Sequence, residues 1–272
     1  MKRPRSTATS PFWRLVPWLA GILLLAVWQL VSGLGLVPRF LLPSPADIAL
    51  ALYQDRLLLL RHLRTTLLEA GLGLAAGVVL GFFLAVVMHR SRLLRELLYP
   101  LLLLSQTVPT VAIAPLLVLW LGYGILPKVV LIFIVTFFPM TVSLLGAFAA
   151  VDPDEIRLLR AMGADDFMVF RAVVWPSSLG AFFSALRVST SYALVGAVIA
   201  EWLGGSEGLG VYMTRVRKSF AFDRMFAVIV LISVLSLGLL GLVKLLQRLL
   251  MPWERRGSAA AAGEDAWLNN GG

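Results

Sequence analysis

The chain has 272 residues, of which 59% are hydrophobic and only 14% are charged, and its formal net charge is +9. A soluble domain carries roughly 45–50% apolar and about 25% charged residues, so a polytopic membrane protein is predicted, with the positive charge assigned to membrane-flanking loops rather than to nucleic-acid binding. No cysteine is present, which excludes disulfides, thiolate metal sites and cysteine nucleophiles.

Six apolar runs are long enough to cross a bilayer, which takes about 20 residues of helix. The predicted transmembrane helices cover residues 14–32, 66–88, 97–121, 125–150, 179–203 and 225–246. The first run could also be a secretory signal, but no small-x-small cleavage pattern follows it and tryptophans lie at both of its ends, which favours a retained helix. Pro109, Pro115 and Pro139 lie inside the runs and predict kinked helices.

The segment between the first two runs, residues 33–64, is predicted to lie outside the membrane. An amphipathic helix is expected to begin after Pro45 and to rest at the membrane interface. Its apolar face would be formed by Ile48, Leu52, Leu59 and Leu63, and its polar face by Arg56, Arg61 and Arg64.

Both ends of the chain are polar. Residues 1–13 form a short N-terminal segment, and residues 251–272 are small and polar, which predicts a disordered tail. The larger share of the 24 Lys and Arg residues falls on the side of the membrane that holds the two termini. The positive-inside rule therefore places both termini, and with them residues 152–176, in the cytoplasm.

Residues 152–176, DPDEIRLLRAMGADDFMVFRAVVWP, form a charged segment between two apolar runs. Asp152 is predicted to cap a short helix, with Glu155 as its capping-box partner and Gly163 as the glycine that ends the helix. Asp165 or Asp166 would cap a second helix that leads into the fifth span.

Apolar residues alternate with the charges of this segment. Ile156, Leu159, Met162 and Phe167 would stand in water unless a soluble partner covered them, which indicates a docking element. The alternative interpretation is a cytoplasmic loop that folds back onto its own helix ends.

The spacing in this segment resembles the cytoplasmic loop of binding-protein-dependent ABC importer permeases. In that family a Glu-Ala-Ala start is followed by three residues, Gly, nine residues and Ile-x-Leu-Pro. Here nine residues separate Gly163 from Val173-Val174-Trp175-Pro176, while Arg157 stands at the family's Glu position and Trp175 at its Leu position. The resemblance covers most of the chain and includes LLPSP at 41–45, VPTVAIAPLLVLWLGYG at 108–124 and AEWLGGSEGLGVYM at 200–213.

The resemblance implies an all-α type I ABC importer permease with six transmembrane helices, a core over residues 65–250, and a place in the bacterial inner membrane. It implies a homodimer, two copies of an ATPase subunit that hold ATP and Mg²⁺, and an extracytoplasmic solute-binding protein. It also implies that the charged segment couples to the ATPase subunit. The coupling residues would be Asp154, Glu155, Ile156, Arg157, Leu159, Arg160, Met162, Gly163, Ala164, Phe167 and Pro176.

The transported solute is less well indicated. Residues 191–227 are most similar to hydroxymethylpyrimidine-type permeases, so a thiamine-precursor pyrimidine is the first expectation, with sulfonate, taurine, nitrate or riboflavin as alternatives. No G-x-x-x-x-G-K-[ST] phosphate-binding loop occurs in the sequence, so ATP hydrolysis is assigned to a separate chain and no cofactor to this one.

Polar residues inside or beside the spans are candidates for the solute pathway. Glu201 could line an outer vestibule or could be an interfacial carboxylate. The full set of pathway candidates is Gln106, Thr107, Pro109, Tyr192, Glu201 and Trp202. No catalytic constellation or metal-ligand cluster is predicted, so an enzyme is not expected; the rival classes are an ATP-independent secondary transporter and a membrane-embedded enzyme.

Overall fold

The computed structural model of the chain describes residues 11–38 and 40–252. The N-terminal residues 1–10, Arg39 and almost all of the predicted disordered tail lie outside the described residues, as do the side chains of several residues between 11 and 18. The described part is helical throughout and contains no strand, so the predicted all-α class is confirmed.

Eleven α-helices are described, and a five-residue π-helix, Phe170–Val174, joins α8 to α9. They are α1 (Pro11–Gly33), α2 (Pro45–Gln54), α3 (Arg56–Arg90), α4 (Arg92–Thr107), α5 (Thr110–Leu121), α6 (Leu126–Ala149), α7 (Pro153–Ala161), α8 (Asp166–Val169), α9 (Trp175–Leu203), α10 (Leu209–Lys218) and α11 (Phe222–Leu250).

Four helical stretches are long and apolar enough to cross a membrane: Arg56–Arg90, Leu126–Ala149, Asp166–Leu203 and Phe222–Leu250. The bent pair α4 and α5 adds a fifth if it counts as one span. In the first predicted span, the described apolar stretch is Leu19–Gly33, which is shorter than the others. Six spans and cytoplasmic termini stay predictions that are consistent with this set.

The interfacial helix is shorter than predicted. A capping box between Ser44 and Asp47 starts α2, in which Ser44 Oγ accepts from the Asp47 amide and Asp47 accepts from the Ser44 amide at 3.1 Å each. The helix ends at Gln54, and α3 begins two residues later at Arg56. Leu59, Leu63 and the three arginines therefore belong to α3, because the apolar run from residue 57 onward is continuous with the next span.

The third predicted span is broken rather than kinked. Helices α4 and α5 meet at an angle of 97° across Val108 and Pro109. Proline has no amide hydrogen and disfavours the helical conformation of the residue before it, and Val108 is accordingly extended, with φ −82° and ψ 121°. Pro139, by contrast, lies inside α6, which continues through it.

The described residues divide into two compact units. The first comprises Met1–Arg61 and Tyr212–Leu231, and its apolar centre is formed by Ile48, Ala51 and Ala227. Trp28 donates from Nε1 to the carbonyl of Pro43 at 3.1 Å. The Tyr212 hydroxyl donates to Asp55 at 2.5 Å, and burial together with this carboxylate raises the pKa of Tyr212 above its ordinary value.

The second unit comprises His62–Val211 and Ile232–Gly272, and α3, α6 and α9 pack closely within it. Small residues permit this approach: a Cβ on Gly73 of α3 would lie 2.5 Å from Cβ of Ile132 on α6. Ser189 of α9 donates to the Thr136 carbonyl of α6 at 3.1 Å, and Thr136 is itself fully buried. These three helices form the frame on which both regions described below are built.

Candidate functional site

The first half of the charged segment folds as predicted. Asp152 caps α7 by accepting from the amide of Asp154 at 2.8 Å, although the expected capping box with Glu155 is replaced by this shorter contact. Gly163 follows the helix with φ +88°, and the amides of Gly163 and Ala164 bond the carbonyls of Arg160 and Leu159 at 3.0 Å each. This pair of bonds is a Schellman motif, which requires the left-handed conformation that glycine adopts freely.

The second half leads into the long helix α9. Asp165, rather than Asp166, caps α8 by accepting from the Met168 amide at 2.7 Å. The π-helix then accommodates Pro176, and the Trp175 amide bonds the carbonyl of Phe170, five residues earlier.

Trp175, which departs from the family pattern, faces the protein's own interior. Its ring packs edge-on against Phe82 and Phe182, with centroids 5.0 and 5.6 Å away. The larger side chain is therefore accommodated by packing against aromatic neighbours inside the unit. The departure leaves the exposed face of the segment unchanged.

The apolar residues of the segment separate into two sets. Ile156 and Leu159 are half-buried and pack against the core formed by residues such as Phe148 and Val174, so they are less exposed than predicted, and their contact with a partner stays a prediction. Met162 and Phe167 are exposed as predicted, at 76% and 62%. Two further apolar residues, which the pattern did not single out, are also exposed: Leu158 at 63% and Met168 at 56%.

The charges of the segment are arranged in exposed pairs. Arg157, at the family's glutamate position, bonds Asp154 at 2.8 Å, and Arg160 bonds Asp166 at 2.9 Å. Surface pairs of this kind contribute about 0–1 kcal/mol each, so they shape the charge pattern more than they stabilise the fold. A cavity of about 470 Å³ opens beside them and is lined by Arg160, Phe167 and, from α3, His89 and Arg90.

The pathway candidates fall at different places. Gln106, Thr107 and Pro109 are exposed at the break between α4 and α5. Tyr192 and Trp202 lie on α9 and are each 51% exposed. Glu201 is only 2% exposed and bonds the chain itself, so its position does not match a residue that lines a vestibule.

A buried ion pair lies at the end of the unit where α6 begins and α9 ends. Lys128 Nζ of α6 donates to Glu69 Oε1 of α3 at 2.6 Å, with side-chain exposures of 6% and 2%. Lys128 lies in the first turn of α6, inside the fourth predicted span, and is buried between helices. Removing one partner of such a pair typically costs about 3–5 kcal/mol.

Glu201 belongs to the same buried region. Its Oε1 accepts from the Thr66 hydroxyl and its Oε2 from the Gly210 amide, at 2.6 Å each. Thr66 Oγ1 accepts from the Leu209 amide and His62 Nδ1 from the Gly208 amide, at 2.9 Å each. We call His62, Thr66, Glu69, Lys128 and Glu201 the polar network.

The polar network caps α10 from other helices. Three successive amides at its start, those of residues 208–210, are satisfied by side chains of α3 and α9. Helix N-termini leave such amides without partners in the helix itself, and a neighbouring Ser, Thr or Asp usually fills the role. The sequence GGSEGLG at 204–210 therefore forms a tightly anchored turn.

Glycine is required where this turn touches the network. Gly208 has φ +130°, and a Cβ on Gly210 would lie 2.5 Å from the Val198 carbonyl oxygen. We expect Gly210→Ala to destabilise the protein by about 1–3 kcal/mol through overpacking. The control is Gly238→Ala on α11, where no atom lies within 4 Å and stability should be unchanged or slightly higher. Equal melting temperatures for the two variants in lipid nanodiscs would contradict this account.

Within the described residues, no group of three or more His, Cys, Asp or Glu side chains could hold a metal ion. The structure thus contains two candidate functional regions, the charged segment and the polar network, which lie at the two ends of the α6–α9 pair.

Known proteins match this chain along most of its length. The family described as "Binding-protein-dependent transport system inner membrane component" matches residues 77–252. The formylaminopyrimidine transport permease protein ThiX of Halalkalibacterium halodurans is 35% identical over 243 residues, which cover 89% of this chain and 97% of that protein. A probable ABC transporter permease protein of Haemophilus influenzae is 37% identical over 225 residues, covering 83% and 92%.

The fold is also similar to a solved importer structure. An inward-facing MetNI methionine ABC transporter chain superposes with a TM-score of 0.64 at 18% identity, covering 72% of this chain and 97% of that chain. At this identity the likeness concerns the fold alone. The family match, the relatives and the fold agree: the chain belongs to the binding-protein-dependent transport system inner membrane components and is a multi-pass permease subunit of an ABC importer with the type I fold, not an enzyme.

Proposed function

We propose that this permease carries a thiamine-precursor pyrimidine of the hydroxymethylpyrimidine type across the inner membrane. The observation that carries the proposal is the 35% identity, over nearly all of both chains, to a permease named for formylaminopyrimidine transport. Sulfonate, taurine, nitrate and riboflavin are the alternative solutes within the same importer class.

The exposed apolar residues of the charged segment support the docking of an ATPase subunit there. Leu158, Met162, Phe167 and Met168 stand beside paired charges, an apolar surface with a polar rim of the kind found in protein interfaces. ATP and Mg²⁺ would be held by that subunit, whose hydrolysis supplies the energy. This chain's role is to receive the movement through α7 and pass it through the π-helix into α9.

The break between α4 and α5 supports a pathway formed with a second copy of the chain. Non-helical backbone at membrane depth is tolerated only where it is buried in protein or lines a water-filled cavity. Residues 105–109 are exposed in the single chain, and they include the hydroxyl and amide groups of Ser105, Gln106 and Thr107. A homodimer would place these groups along a shared aqueous path, to which an extracytoplasmic solute-binding protein delivers the solute.

The test is solute uptake by the importer reconstituted in liposomes with its ATPase subunits and binding protein. We expect accumulation of labelled hydroxymethylpyrimidine that requires ATP and all three components. Competition by taurine, nitrate or riboflavin but not by pyrimidines would replace the proposed solute with an alternative. Uptake by the permease alone, without ATP, would instead support a secondary transporter.

The docking surface makes a separate prediction. Phe167→Ser should reduce co-purification of the ATPase subunit about tenfold while leaving the melting temperature of the permease unchanged, because Phe167 is 62% exposed. The matched control is Phe170→Ser: the Phe170 ring packs at 5.6 Å from Phe148, so this change should lower the melting temperature. Loss of stability in the Phe167 variant, or full ATPase binding by it, would contradict the assignment.

A further inference from the structure

A groove of about 250 Å³ lies in the second unit, between α3, α9 and α11. It extends along α9 from Leu194 to Leu186, which is about 12 Å of helix. The surface that it exposes is wholly apolar, because the hydroxyl of Thr190 donates to the Leu186 carbonyl of its own helix at 2.7 Å. A polar solute would find no hydrogen-bond partner there, so the groove suits a hydrocarbon chain.

Arg187 lies at one end of this groove. It follows Leu186 on α9, and its Nη1 donates at 2.5 Å to Oε1 of Gln247, which follows the groove residue Leu246 on α11. Its Nη2 donates to Ser184 Oγ at 3.0 Å. A guanidinium has five N–H donors, and the other three have no partner in the described part of the chain. They are therefore open to an anion.

The contact with Gln247 indicates the depth of Arg187 in the membrane. The predicted sixth span covers residues 225–246, so Gln247 lies where the hydrocarbon core gives way to the headgroups. A long basic side chain at this depth reaches the headgroup region along its apolar stem. The groove thus begins at headgroup level in the leaflet nearer the charged segment and runs from there toward the middle of the bilayer.

Two further bases lie beside this end of the groove. Lys244 and Arg248 lie within about one turn of Gln247 on α11, both are exposed, and neither forms an ion pair with any described residue. Residues 175–200 of α9 and 224–250 of α11 contain no Asp or Glu, so these stretches supply no counter-charge. Three cations at the end of an apolar groove match a ligand with an anionic headgroup and an apolar tail.

The first helix of a second copy of the chain matches this end of the groove less well. Its leucines are exposed and apolar enough to fill the groove. However, residues 1–46 contain no Asp or Glu, and they begin with the bases Lys2, Arg3 and Arg5. A second α1 would therefore bring no anion to Arg187 and would add positive charge.

We propose that the groove between α3, α9 and α11 binds one anionic phospholipid. An acyl chain lies in the groove, and the phosphodiester accepts hydrogen bonds from Arg187 and is attracted by Lys244 and Arg248. The lipid fills the space between the three helices and supplies the negative charge that the inner ends of α9 and α11 lack. This site is independent of which solute the permease carries.

Native mass spectrometry of the full-length permease in detergent tests the proposal. The permease is titrated with dioleoyl phosphatidylglycerol and, separately, with dioleoyl phosphatidylcholine, which has the same acyl chains but no net charge. We expect one molecule of phosphatidylglycerol to bind with a dissociation constant about tenfold lower than that of phosphatidylcholine.

Loss of one base should remove most of this preference. Arg187→Gln should weaken phosphatidylglycerol binding about tenfold and leave phosphatidylcholine binding unchanged, because it removes charge-assisted hydrogen bonds to the phosphate. Lys244→Gln alters an exposed side chain that no contact of the described fold requires, and should weaken it about fivefold even if Arg187→Gln proves unstable. The matched control is Arg171→Gln, an equal loss of charge at an exposed residue outside the groove, which should have no effect.

Filling the groove tests the acyl-chain half of the site. Gly71 lines the groove on α3, and no atom lies within 4 Å of the position its Cβ would take. Gly71→Leu should therefore fold normally and lose the binding of both lipids.

Three results would overturn the proposal. Equal affinity for the two lipids would remove the anionic headgroup, and equal loss in Arg187→Gln and Arg171→Gln would assign the preference to net surface charge. The same spectra report the oligomeric state: if Gly71→Leu releases a second copy of the permease and not the lipid, the groove is an interface between copies.

Discussion

Gly163→Val should uncouple ATP hydrolysis from transport. Gly163 adopts φ +88° in the Schellman turn that ends α7, and no atom lies within 4 Å of the position its Cβ would take. The effect must therefore come from backbone strain and not from a clash. A left-handed conformation costs an L-residue roughly 1–2 kcal/mol, and more when it is β-branched, which lowers the population of the native turn by about 5–30-fold. We expect solute uptake per ATP hydrolysed to fall by a similar factor.

Gly163→Asn is the matched control, since asparagine tolerates the left-handed conformation better than other side chains. Gly163→Asn should retain most of the coupled transport, even though it also places a side chain at this position. The measurement is the ratio of uptake to ATPase rate in proteoliposomes that contain equal amounts of assembled importer. A normal ratio in the valine variant, or equal loss in both variants, would show that the turn conformation is not what couples the two activities.

Lys128→Met should strongly destabilise the permease. It leaves the Glu69 carboxylate buried at 2% exposure without its cation, for which the expected loss is about 3–5 kcal/mol. The yield of folded permease and its melting temperature in nanodiscs should both drop. Replacing both members, as in Glu69→Met with Lys128→Met, should recover much of the loss, because a well-packed apolar pair avoids the stranded charge.

The exposed pair Arg92–Glu96 supplies the comparison. It has a similar distance, 2.8 Å, but its side chains are 84% and 60% exposed. Glu96→Gln should change stability by no more than about 0.5 kcal/mol. If Lys128→Met had an equally small effect on stability, or if the double variant were less stable than the single one, the buried ion pair would not stabilise the fold in the way argued from its burial.

Local sequence was sufficient to predict the charged segment but not the direction its residues face. Asp152, Gly163 and Asp165 act through backbone groups within a few residues, so their roles follow from spacing alone. Whether Leu158 or Leu159 is exposed depends on which side of α7 meets α3 and α9, and helical periodicity carries no such information when apolar residues occupy both faces.

Proline in an apolar run indicated where a helix could bend, but not whether the helix would break there. Pro109 breaks the helix by 97°, while Pro139 leaves α6 continuous, although both lie in runs of similar composition. The difference arises from packing: α6 lies between α3 and α9, which hold it on two sides, whereas residues 105–109 are exposed. Tertiary contacts of this kind decide whether a proline kinks or ends a helix.

The polar network could not be predicted, because its members are ordinary residues that are remote in sequence. Glu69 and Lys128 are 59 residues apart, and Thr66 and Glu201 are 135 apart. Lysine at the start of an apolar run usually signals a loop, and only the fold brings Lys128 to its carboxylate. The one local sign was the glycine spacing in GGSEGLG, which indicates close approach of the backbone without naming the group approached.

This separation has a consequence for how the protein is made. Glu69 and Lys128 are synthesised early, whereas Glu201 and the turn that completes their surroundings follow later, up to 146 residues after His62. Until then the ion pair can form, but the Thr66 hydroxyl lacks the carboxylate of Glu201 to which it donates in the finished fold. The buried end of the bundle is therefore completed only when the chain has reached residue 210, since Glu201 and the amides of Leu209 and Gly210 supply its last hydrogen bonds.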